Sequence, residues 1–262
     1  MKPFFAAFAL CAATAAAAPL ELLLGTNGDV ALGSSGAKLG FVVFKEGWGG
    51  AISCQPLQSA HERTGFFLCG DDGVRCIEGS VSLVVDGCGG VASLSLRASC
   101  LSDVRTECAA VELSLPSAEV IGTEWRFGDD AHGVFPSRPG ETAIQRGVTD
   151  SFAFRDSQFG EIVELRFPRP MRTLVQDSRN WGPKFTIRFE IPVPKTIPAG
   201  TEIAFDCTIA RHGGILVEHD EIVTITPGPD WIPLENRKNI VEGSALDFSG
   251  MGWTGAPAGK HG

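Results

Sequence analysis

The sequence predicts an all-β protein, a large antiparallel β-sandwich with an extended C-terminal tail. Apolar residues alternate with polar ones at period two through most of the chain, and helical periodicity is nearly absent. In addition, 32 glycines and 16 prolines punctuate the runs. Alternating strands bury one face and leave the other in water, and short turns between them demand hairpins rather than crossover helices. Two sheets packed face to face hide both apolar sides.

Taken in order, Phe41 to Phe44 and Val81 to Val85 are short apolar runs close to glycine or aspartate. Ala92, Leu94, Leu96 and Ala98 then interleave with Ser93, Ser95 and Arg97, and Val111, Leu113 and Leu115 interleave with Glu112 and Ser114. Residues 128–156 are polar and turn-rich and read as a long loop over one end of the sandwich. Alternation resumes with Val163, Leu165 and Phe167 around Glu164 and Arg166. It continues with Phe185, Ile187, Phe189 and Ile191 around Thr186, Arg188 and Glu190. Ile203 to Ile209, Ile215 to Val217 and Ile222 to Ile225 complete the expected strands.

Residues 1–18 read as a secretory signal peptide: one lysine, an apolar run from Phe4 to Ala13, and an alanine tract with A-x-A sites before Pro19. The run is too short to span a bilayer. Leu10 stands before Cys11 where a lipoprotein signal wants a small residue, which argues against a lipid anchor. Residues 19–228 are expected to form the sandwich, and 229–262 a linker and the start of a further domain. The expected location is secreted, extracellular or periplasmic. The formal charge of −9, with no Lys/Arg cluster, argues against nucleic acid and anionic membrane as partners.

Seven cysteines follow the signal segment: Cys54, Cys69, Cys76, Cys88, Cys100, Cys108 and Cys207. Export permits disulfides, and an odd number leaves at least one thiol free. Cys100 with Cys108, and Cys69 with Cys76, each bracket a polar turn, so both pairs are disulfide candidates that would staple hairpins. Structural zinc sites favour closer spacings, and no metal is expected. Cys207 falls in phase with Ile203, Phe205 and Ile209 and is expected to be an inert buried thiol.

Signals for chemistry are sparse. Asp71 with Asp72, Asp129 with Asp130, and Glu218 with Asp220 and Glu221 are the densest acidic groups, yet adjacent acids in turn sequences are usually solvated turn formers. His212 and His219 flank a glycine turn and could approach one another beside acids, but two histidines without an assigned third ligand make a poor metal site. Nucleophile elbow, Walker loop, HExxH and dinucleotide signatures are all missing. No catalytic residue and no cofactor is therefore expected. Trp48 in KEGWGG and Trp181 in SRNWGPK sit in turns that display a side chain, and either could stack on the apolar face of a sugar ring. The competing reading has each ring capping an end of the core. The absence of tyrosine counts mildly against a dedicated sugar face.

The tail, GSALDFS followed by APAGKHG within residues 243–262, resembles the junction between an N-terminal β-sandwich and the catalytic barrel of secreted bacterial cellulase-like (β/α)8 glycoside hydrolases. A looser likeness runs from Leu20 to Pro227, in the ending at Leu115 and Pro116 and the stretch from Arg179 to Pro183. The resemblance implies export, a polysaccharide context and hydrolysis by two glutamates in a downstream barrel, and those glutamates have no counterpart here. On that basis the chain is expected to be a non-catalytic accessory sandwich, not itself an enzyme, truncated before its catalytic domain. Its expected partners are polysaccharide and that domain. A stand-alone carbohydrate-binding module using Trp48 or Trp181 is the second reading. A sandwich-type carbohydrate lyase or epimerase using His212 or His219 is the third.

Overall fold

The period-two runs form strands in the computed structural model, which describes residues 21–213 apart from 34–35, 61–62, 87–89, 130 and 156–159. The expected signal segment, the strands at 215–217 and 222–225, and the junction-like tail lie outside the described residues. In chain order the strands are β1 (Leu22–Leu24), β2 (Val30–Leu32), β3 (Ala37–Lys45), β4 (Ser53–Ala60), β5 (Arg63–Cys69), β6 (Arg75–Val85), β7 (Val91–Cys100) and β8 (Val104–Pro116). They continue with β9 (Glu124–Phe127), β10 (Ala131–Val134), β11 (Ala143–Arg155), β12 (Ile162–Asp177), β13 (Lys184–Ile191), β14 (Thr196–Ile197) and β15 (Glu202–His212). Helix is confined, among the described residues, to one α-helical turn, α1 (Ser117–Val120), and a 3-10 turn over Glu46–Trp48.

All pairings are antiparallel, and the main path runs β1-β2-β3-β8-β13-β12-β15-β7-β6-β5-β4. The path turns back on itself at β12. Its first half, Ile162 to Arg166, pairs with β15, whereas its second half, Arg172 to Asp177, pairs with β13. Between them lie Pro168 and Pro170, which have no N–H for a ladder and are tolerated in strands only at edges, bends and bulges. On β11 the register steps from Thr149 opposite Met171 to Ser151 opposite Arg166, which leaves 167–170 unpaired. One strand thereby belongs to two layers.

Ring contacts record how those layers close. Phe189 of β13 and Phe205 of β15 are not on neighbouring strands, yet their ring centroids lie 6.5 Å apart, and Phe167 at the bend touches both, at 4.7 and 5.9 Å. Farther out, Phe41 of β3 meets Phe66 of β5 at 5.7 Å. The alternating apolar residues Leu39, Val43, Leu113, Ile187, Leu96, Ile209 and their neighbours merge into one buried cluster, as a sandwich requires.

Two expectations are corrected here. Residues 128–156 are not one long loop: they contain β10 and the 13-residue β11, whose outer-facing positions are polar enough to read as turn. The disulfide candidates are free thiols. Cys100 and Cys108 do not bracket a hairpin, because β7 pairs with β6 and β15 while β8 pairs with β3 and β13, so the turn between them passes from one layer to the other. Cys69 and Cys76 do flank the β5–β6 turn, but Cys69 pairs with Arg75, leaving Cys76 at a bulge with its thiol donating to the Leu68 carbonyl at 3.3 Å. Cys207 is buried as expected, and burial, with help from Asp206, pushes its thiol pKa up to about 12.

Phe189 joins both layers, with Phe152, Phe167 and Phe205 against it. Phe189→Ala is expected to lower unfolding free energy by about 3 to 5 kcal/mol, read as a drop in the urea midpoint at unchanged slope.

Candidate functional site

The outer face of the β3-β8-β13-β12-β11 layer carries rungs of paired residues that share one side of the sheet. One rung runs Gly40, Glu112, Arg188, Leu174, Arg146, and the next runs Val42, Ala110, Glu190, Arg172, Val148. The alternate positions, among them Phe189, Ile187 and Val175, point into the core. Residues read from sequence as simply solvent-facing thus become the floor of a cleft of about 950 Å³, within the range of small-ligand sites.

Both tryptophans singled out by sequence line this cleft, together with Phe44, Arg146, Arg172, Arg188, Gln176 and Glu190. They arrive from opposite ends of the strands. Trp48 follows the C-terminal end of β3, and Trp181 precedes β13, which runs parallel to β3 across β8. Neither caps the core: Trp48 is 53% and Trp181 68% exposed. Two indoles this open on the walls of one concavity make an exposed apolar surface of the kind found in ligand-binding grooves.

Each tryptophan sits on its own small framework. Behind Trp48, the Lys45 N–H donates to the Gly50 carbonyl at 2.9 Å, and the Gly47 N–H donates to Glu107 Oε2 at 3.1 Å. The ring packs on Phe44, with centroids 5.3 Å apart, and the Arg188 guanidinium lies over both rings, at 5.1 Å from Trp48 and 4.5 Å from Phe44. Trp48 is also, among the described residues, the one non-glycine with positive φ, at 60°. That left-handed backbone costs a bulky residue on the order of 1 to 3 kcal/mol and is a mark of functional sites.

Trp181 rides on a turn fixed by a buried ion pair. Asp177 accepts from Arg179 Nη2 at 2.6 Å, Nε at 2.9 Å and the Arg179 backbone N–H at 3.1 Å, while Arg179 Nη1 donates to the Ser137 carbonyl at 2.9 Å. The guanidinium also lies 4.8 Å above the Phe185 ring. The Trp181 N–H donates to the Ser178 carbonyl at 2.9 Å, and Ser178 Oγ donates to Thr186 Oγ1, also at 2.9 Å. A turn fixed in this way loses little backbone entropy when a ligand stacks on the ring it presents.

The other sequence candidates lie elsewhere. His212 sits on β15 opposite Ile162, its Nε2 3.6 Å from Glu164 Oε2; His219 is outside the described residues. Burial works to raise the Glu164 carboxyl pKa, but the hydrogen bond from Arg166 and the charges of Arg166, Arg126 and His212 outweigh it and hold it below the ordinary range. A carboxylate so tightly ion-paired is poorly placed to shuttle protons. A second concavity of about 660 Å³, on the other layer, is lined by Arg63, Glu78, Arg97 and Glu202 and offers no aromatic ring. Sequence reasoning missed Phe44, Arg146, Arg172, Arg188 and Glu190, because their convergence depends on which strands are neighbours.

No protein-family model matches the chain, and no curated protein matches it. Among solved structures it is similar to a GalM/aldose epimerase homologue from C. elegans, at 11% identity over 61% of this chain and 68% of that one, with a TM-score of 0.42. It is also similar to a galactose mutarotase related enzyme from Lactobacillus acidophilus, at 7% identity over 74% and 95% of the two chains, TM-score 0.39. A GH36 alpha-galactosidase from Geobacillus stearothermophilus matches at 11% identity over 66% of this chain and 30% of that one, TM-score 0.40. At these values the likeness assigns no activity or residue role. The expectation that this chain is not an enzyme is withdrawn, since the neighbours it meets include a galactose mutarotase related enzyme and an alpha-galactosidase. These neighbours give no support to the cellulase-like barrel parent expected from the tail.

Arg179 holds the Asp177 carboxyl below its ordinary range, first through their hydrogen bond. The pair therefore stabilises the fold above the unfolded aspartate pKa of about 3.9, and that contribution is lost as pH falls through the lower folded value. Asp177→Asn is expected to lower stability at pH 7 by about 3 kcal/mol and to flatten the acid limb of the stability profile, followed by tryptophan fluorescence in urea.

Proposed function

We propose that this chain is a carbohydrate-recognising β-sandwich that holds a saccharide in the cleft between Trp48 and Trp181. The observation that carries the reading is the convergence of two exposed indoles, far apart in sequence, over one floor of guanidinium, amide and carboxylate groups. Sugar rings combine apolar C–H faces with a rim of hydroxyls. The indoles suit the faces, while Arg172, Gln176, Arg188 and Glu190 suit the hydroxyls. Binding does not depend on the accessory role beside a barrel, which rests on the sequence resemblance. Export, proposed from residues 1–18, would set the cleft before polysaccharide outside the cell.

Turnover of the bound sugar is the second reading, and Glu190 favours it. Among the described residues it is the carboxylate lining the cleft, 3.6 Å from Arg172 Nε. It could take the proton of an anomeric hydroxyl while another donor protonates the ring oxygen, opening the ring of an aldose for epimerase-type chemistry.

Isothermal titration against a panel of soluble glycans is expected to find at least one ligand, with Trp48→Ala and Trp181→Ala each weakening it about tenfold. Unchanged affinity in both variants would remove the cleft from the reading. Polarimetry on freshly dissolved aldoses tests turnover: acceleration of anomer equilibration that Glu190→Gln abolishes supports it, and rates equal to buffer sink it.

A further inference from the structure

The charges around the cleft narrow the class of sugar, an inference that rests on the glycan reading. Three guanidiniums line the cleft, and two carboxylates stand on the same rungs. Glu112 accepts from Arg188 Nε at 2.9 Å, and Glu190 lies 3.6 Å from Arg172 Nε. That neutralises two of the three. Among the described residues, no hydrogen bond or ion pair engages the Arg146 guanidinium, and it is exposed on the cleft wall.

A solvated arginine on an open surface would mean nothing, but this one has a fixed relation to the platform. Leu174 separates it from Arg188 on one rung, two strand spacings or about 10 Å from the residue beneath Trp48. Arg172 is its diagonal neighbour, across from Val148. A saccharide lying on the Trp48 ring would extend its substituents toward this pair of guanidiniums. Their fork geometry matches a carboxylate or sulfate and forms charge-assisted bonds stronger than those to a hydroxyl.

The formal charge of the whole chain, −9, opposes an anionic ligand at long range. At physiological salt, charges farther off than about 8 Å are largely screened, whereas a contact with Arg146 is not. The local excess therefore decides. We propose that the cleft selects an anionic saccharide, with Arg146 and the adjacent Arg172 receiving its carboxylate or sulfate group.

The full-length chain is titrated with polygalacturonate oligosaccharides, with the same oligosaccharides fully methyl-esterified, and with a sulfated and a desulfated galactan. The esterified and desulfated partners keep the sugar backbone and remove the charge. At least one acidic form is expected to bind about tenfold or more tightly than its neutral partner. Raised salt should erode that preference, and in Arg146→Gln acidic and neutral forms should bind alike. Arg146→Lys retains part of the preference. Which arm responds identifies the oxyanion as carboxylate or sulfate. Equal binding of acidic and neutral forms, or a preference that Arg146→Gln leaves intact, overturns this inference while the glycan reading stands. Binding of none of the four overturns this inference, while the glycan reading is decided by the wider panel and the two tryptophan variants.

Discussion

The bend of β12 at Pro168 and Pro170 is the constraint on which the molecule turns. Two prolines two residues apart withdraw two ladder donors, so the ladder breaks here, and on the side away from β11 no single strand follows β12 through this point. Its first half stays with β15 and its second half goes to β13. The two layers are therefore one hydrogen-bonded path folded on itself rather than two separate sheets. Phe167, just before the bend, fills the corner against Phe189 and Phe205. On the other side of β12, β11 crosses the bend by the register step between Thr149 and Ser151, and its first half brings Arg146 and Val148 opposite Leu174 and Arg172 to complete the rungs of the cleft.

A sheet that buries one face this thoroughly needs its other face to stay soluble, and the simplest solution is alternating charges. Here they are arranged in cross-strand pairs: Arg188 with Glu112, Arg172 with Glu190, and Arg97 with Asp206 on the other layer. Such pairs at the surface contribute little to stability, about 0 to 1 kcal/mol each. Arg188 is different because its side chain is mostly buried beneath Trp48 and Phe44, so its guanidinium keeps a fixed position. The floor of the cleft is thus preorganised by the same alternation that makes the sandwich.

Much of this fold was legible. Period two at Ala92 to Ala98, Val111 to Leu115, Phe185 to Ile191 and Ile203 to Ile209 gave strands where strands occur, because each has one apolar and one polar face. The strand β11 was not legible, since Arg146, Val148 and Asp150 on one side and Gly147 on the other blur its alternation. The cysteine pairs failed for a related reason: local spacing describes a turn but not which layer the chain enters next, and Cys100 and Cys108 end up on different strands' ladders. Trp48 and Trp181 were recognisable as displayed side chains from their turn contexts. Their meeting in one cleft was not, because it depends on β3 and β13 lying on either side of β8.

Structural duties alone do not account for Trp48. The turn from Lys45 to Gly50 needs left-handed backbone at Gly47 and again at residue 48, and a glycine at both places would supply it without strain. The indole does gain contact with Phe44 and Arg188, but that covers one side of the ring and leaves about half of the residue in water. Trp181 gains less still, since its turn is closed by backbone bonds and by the Asp177–Arg179 pair, none of which involves its ring. Two large apolar surfaces are therefore held open by frameworks stiffer than the rings themselves require. The cost of that exposure is recovered when a flat, partly apolar ligand covers them, which is the condition a bound sugar ring meets.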